Sequence, residues 1–166
     1  MERLTVLDVV ALVMGSAVAS IHIRPIGREG FSAPGLILAS LAFAWLAATA
    51  SGPFLYLARR FTGPTERSGI GERLWGLLGV PWLLSAAIRS AGSSRTGGAG
   101  DLDSAVLAIG LAAASTIAML TVWMKWVTAN PEAAREVASG PWPNRVGLAL
   151  AIAWPLQAGL ALMVLS

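Results

Sequence analysis

Two side chains in the first apolar stretch of the sequence could exchange protons or hold charge: Asp8 and His22. A carboxylate inside a membrane segment is costly to bury, so it marks a proton or ligand site unless an interface or a packing contact explains it. Asp8 lies close to the start of its stretch, which favours the interfacial or packing role. His22 sits at the other end, beside Arg24-Pro25. It could ligate a pigment or a metal, or titrate near neutral pH. At a membrane border an interfacial role is the simpler expectation. A Ser–His dyad within this one helix fails, because Ser16 and Ser20 stand six and two positions away, off the His22 face.

Three further positions carry possible chemistry. Gln157 follows Pro155 in the last apolar stretch. A proline that frees a backbone carbonyl beside an amide could open a transport site, while the plainer expectation is one interhelical hydrogen bond. Asp101-Leu102-Asp103 has the form of an acidic metal pair. That pattern is short and nonspecific, and both acids stand where a helix N-cap belongs, before an apolar helix expected from Ala105. Gly69-Ile70-Gly71 and Gly97-Gly98-Ala99-Gly100 lack the continuation of a phosphate loop.

The residue inventory excludes several chemistries. The sequence has no Cys and one His. Thiol redox chemistry, iron–sulfur clusters and Cys nucleophiles are therefore out of reach, as is a structural zinc site with its roughly four Cys/His ligands. No cofactor is expected. Only 13% of residues are charged and 55% are hydrophobic, against about 25% charged in ordinary soluble domains. The net charge of +3 comes from basic residues flanking apolar segments, which reads as membrane orientation rather than nucleic-acid binding. Eleven of the twelve basic residues are Arg, and Ala and Gly abound, a bias that suggests a bacterial origin.

These residues must be positioned by apolar helices. Residues 4–23, 36–58, 105–127 and 146–165 form four long apolar stretches, each matching the roughly 20 residues that span a bilayer core. Ala17-Val18-Ala19 has the form of a signal-peptide cleavage site, but Asp8 and the thin charged region before it favour an uncleaved span. Residues 74–88 are ambiguous: fifteen residues, bounded by Arg73 and Arg89, with Pro81 in the middle. They reach only about 22 Å as a helix, and suit a short kinked span or an interfacial helix. Apolar or small residues on every face favour the span. Charge counting agrees. Five spans divide the basic residues eight to four between the two sides, whereas four spans divide them seven to five, and the steeper asymmetry is preferred.

The expected fold is thus an all-α, polytopic membrane protein forming a single membrane domain with five transmembrane helices, the alternative being four plus one interfacial helix. The N-terminus is expected in the cytoplasm, with the chain in the inner (plasma) membrane. Asn130 to Gly140 reads as a brief surface helix, and Trp123, Lys125, Trp126 and Trp142 as an aromatic belt. Small residues recur every four positions: Ser40, Ala44, Ala48 and Gly52; Gly110, Ala114 and Ala118; Gly147, Ala151, Pro155 and Gly159. Such stripes permit close helix packing. In the first helix, Asp8, Ala11, Gly15, Ala19 and His22 share a face expected to pack against other helices, leaving Val6, Val10 and Val13 outward. The functional expectation is a noncatalytic accessory or structural membrane subunit. Its partners would be the lipid bilayer and other membrane proteins. A transporter or channel component using Asp8 and Gln157, and a lipid-acting enzyme using Asp101 and Asp103, are the alternatives.

Overall fold

The computed structural model describes residues 5–23, 33–62, 69–92, 99–128 and 140–165, and these are helical almost throughout. The helices are α1 (Val6–Ile23), α2 (Ala33–Thr62), α3 (Ile70–Gly92), α4 (Ala99–Thr128) and α5 (Trp142–Leu165). The first four are long and apolar enough, by length and composition, to cross a membrane. The surface helix expected between Asn130 and Gly140 lies outside the described residues.

Helix ends depart from the apolar stretches in a consistent direction. α3 has 23 residues rather than fifteen and reaches past Glu72, Arg73 and Arg89, about 35 Å at 1.5 Å per residue. Arg59 and Arg60 do not stop α2, which continues to Thr62. α4 begins at Ala99, not Ala105. The N-cap expectation for Asp101 and Asp103 is therefore wrong, since both stand inside the helix. Charges bounded the apolar stretches but do not end the helices, because several of them find partners on neighbouring helices.

α3 lies at the centre and contacts all four other helices. Its neighbours identify its direction. Gly71 meets Asn144 and Gly147 at the start of α5, whereas Ser85 meets His22 at the end of α1. α1, α3 and α5 thus run one way, and α2 and α4 the other. Pro81 stands inside α3, where it removes one backbone donor. Its ring fits against α4 because Gly110 faces it; a Cβ there would sit 3.0 Å from Pro81 Cβ.

Small residues set the spacing elsewhere. A Cβ on Gly15 would come within 2.5 Å of the Ala47 carbonyl and 2.7 Å of Ser51 Cβ, so α1 and α2 are in backbone contact. Gly52 lies on the Trp75 backbone, and Gly79 lies on Pro53 and the Thr49 carbonyl. Gly147 lies on the Gly71 carbonyl. The expected stripes are used in part: Gly52, Ala114, Ala118, Gly147 and Ala151 are buried, but Ser40 and Ala44 are exposed. The side chains of Pro155 and Gly159 lie outside the described residues. Two apolar cores result. One joins Leu55, Trp75, Leu78, Ala118 and Trp154. The other joins Val18, Ala19, Leu46, Ala50 and Ala86.

Candidate functional site

α1 presents the face its spacing requires. Asp8, Ala11, Gly15, Ala19 and His22 are buried, while Val6, Val10 and Val13 are exposed. Asp8 and His22 are fourteen positions apart, about 21 Å along the axis, and each stands in its own polar junction.

The first junction surrounds Asp8. Thr5 and Asp8 form a reciprocal cap: the Thr5 N–H donates to Asp8 Oδ2 at 3.0 Å, and the Asp8 N–H donates to Thr5 Oγ1 at 3.2 Å. The Thr5-x-x-Asp8 spacing is the signal that identifies this cap in the sequence. Arg59 of α2 completes the site, with Nε and a terminal nitrogen each 3.3 Å from one Asp8 oxygen. The Arg59 guanidinium also lies 5.6 Å over the Trp142 ring, an additional cation–π contact. Trp142 packs edge-on against Trp75, whose indole N–H donates to the Ala48 carbonyl at 2.7 Å. Below them, Asn144 Oδ1 accepts the Gly71 N–H at 2.7 Å, so α5 caps the first turn of α3. Gly69-Ile70-Gly71 serves this contact: a Cβ on either glycine would collide with Asn144. Glu72 is buried here, and its Oε1 has no hydrogen-bond partner among the described residues.

The second junction surrounds His22, which the sequence placed at an interface and the structure buries. Its Nδ1 lies 3.0 Å from the Val18 carbonyl and its Nε2 lies 2.9 Å from Ser85 Oγ on α3. Ser85 Oγ also bonds Asp103 Oδ1 of α4, and Arg89 Nε donates to Asp103 Oδ2. The Trp82 ring meets His22 edge-on at 5.2 Å. Ser85, on another helix, was absent from the sequence candidates. No local spacing could pair it with a residue 63 positions away.

His, Ser and Asp are together here without the wiring of a hydrolase. In a catalytic triad the imidazole lies between serine and acid, so that it takes the serine proton while the acid orients it. Here Ser85 lies between His22 and Asp103, and it is fully buried. The arrangement can hold helices together and carry protons; it does not present a nucleophile to a substrate. Both Asp103 oxygens are engaged, one by Ser85 and one by Arg89. The side chains of Asp101 and Gln157 lie outside the described residues.

No family model, curated protein or solved structure matches this chain.

Proposed function

We propose that the chain is a small, noncatalytic, multi-pass membrane protein of the bacterial inner membrane. It has five spans and a cytoplasmic N-terminus, and serves as an accessory or structural subunit packing against other membrane helices. The observation that carries this reading is the outer face of α4. Ile109 is 71% exposed, and Leu102, Ile117, Met119, Leu120, Trp123 and Met124 are exposed with it. A continuous apolar face of this kind belongs against lipid or another apolar helix. Two acids within the helices, by contrast, are turned inward and paired with arginines, Asp8 with Arg59 and Asp103 with Arg89. That is the pattern expected where lipid is the solvent. The parallel course of α1 and α3, with α2 between them, supports five crossings over four.

Native mass determination in mild detergent tests the subunit role. A copurifying membrane partner is expected, and a stable monomer without one overturns it.

The two buried ionisable junctions favour one second reading, a component of an ion or small-solute pathway. Proteoliposome flux that is unchanged by Asp8→Asn and by Gln157→Ala eliminates it.

A further inference from the structure

The protons of the His22 junction can be counted. A backbone carbonyl only accepts, so the contact of 3.0 Å to Val18 puts a proton on His22 Nδ1. Two more hydrogen bonds then pass through a single hydroxyl, from Nε2 to Ser85 Oγ at 2.9 Å and from Ser85 Oγ to Asp103 Oδ1. Two bonds need two protons, and Ser85 owns one. A neutral imidazole protonated on Nδ1 brings none to Nε2, and an ionised carboxylate brings none to Oδ1. One of the two contacts would then oppose lone pair to lone pair. The place is dry: Ser85 is 0%, Asp103 3% and His22 7% exposed, and an unmade hydrogen bond there is costly.

We propose that His22, Ser85 and Asp103 hold one further proton in common, making the junction a proton-binding site shared by α1, α3 and α4. The proton comes from water and returns to it, and only N–H and O–H bonds change. Among the described residues, the groups facing His22 are Ser85, Trp82 and Arg89 of α3 and Asp103 of α4, while α2 offers apolar Leu46 and Ala50 nearby. With the proton bound, the three-residue array is neutral and Arg89 keeps the remaining charge. Its side chain is 35% exposed, so that charge reaches solvent. Losing the proton at higher pH breaks one of the two bonds linking α1 to α4 through Ser85. The junction is a clasp that tightens in acid and loosens in base.

The test uses the whole chain in detergent micelles. His22 is the only histidine, so nitrogen-15 histidine labelling gives ring signals that need no assignment. The sequence has three aspartates, Asp8, Asp101 and Asp103, so carboxyl carbon-13 labelling is nearly as simple. Near neutral pH the extra proton is expected in one of two places: as a second ring N–H on Nε2, or as a protonated aspartate carboxyl whose signal survives both Asp8→Asn and Asp101→Asn. A bare Nε2 with all three aspartates ionised overturns the proposal, whether or not any variant folds. Asp103→Asn gives a second readout, because its amide N–H donates to Ser85 and completes both bonds without a proton from water. Tm of the natural chain should fall as pH is raised from neutral into the alkaline range, where the shared proton is lost, while Tm of Asp103→Asn stays level. A natural chain as level as the variant overturns the clasp.

Discussion

Arg59 on α2 reaches Asp8 on α1, 51 positions away, through two contacts of 3.3 Å, and the partners differ sharply in exposure: 28% for the Arg59 side chain and 2% for Asp8. The asymmetry decides which loss costs more. Arg59→Gln strands a buried carboxylate, whereas Asp8→Asn leaves a cation that can turn towards water. Removing one partner of a fully buried pair costs about 3–5 kcal/mol, and an exposed pair contributes about 1 kcal/mol or less. Arg59→Gln is expected to lower stability by about 3 kcal/mol and Asp8→Asn by about 1 kcal/mol. Reversible unfolding in mixed micelles measures both. A larger loss from Asp8→Asn contradicts the assignment.

Gly15 tests the closeness of α1 and α2. Its missing Cβ would stand 2.5 Å from a backbone carbonyl, an atom that cannot move aside cheaply. Gly15→Ala is expected to destabilise by about 1–3 kcal/mol, and Gly15→Leu by more. Val13, on the opposite face, is 62% exposed, so Val13→Leu should stay within about 0.5 kcal/mol of the natural chain. Equal losses at the two positions would show that α1 faces the other way.

Asn144 tests the contact between α5 and α3. Its Oδ1 accepts the Gly71 N–H in a buried setting. Asn144→Ala leaves that donor unpaired and should cost about 1–3 kcal/mol. Asn144→Asp keeps an acceptor beside the positive end of α3 and should recover much of the loss. No difference between the two variants would mean that the hydrogen bond does not matter.

The direction of α3 gives a topology prediction. Ser68 precedes this helix and Ser94 follows it. The sequence has no native cysteine, so single introduced thiols report cleanly. Ser94→Cys should react with an impermeant thiol reagent from outside, and Ser68→Cys only after the membrane is opened. Labelling of both from one side would mean that α3 does not cross.

Much of the architecture follows from local pattern. Apolar length locates five helices, and the spacing of Asp8, Ala11, Gly15, Ala19 and His22 identifies the buried face of α1. Several glycines expected to bring helices close do so, as Gly52, Gly110 and Gly147 illustrate. These features are local because a helix repeats every 3.6 residues, so neighbours in sequence report which side is apolar or small.

Tertiary structure alone decided the partners and the true helix ends. Hydropathy breaks at Arg59, Glu72, Arg73 and Arg89, yet α2 and α3 continue through them, and Arg59 and Arg89 turn to acids on other helices. His22 meets Ser85 across 63 positions, and Ser85 meets Asp103 on a third helix. No periodicity within one helix encodes such a meeting. It depends on how far each helix slides along the next, and that register is set by close contacts at Gly15, Gly79 and Gly110, where packing of complete surfaces rather than the type of any single residue fixes the position.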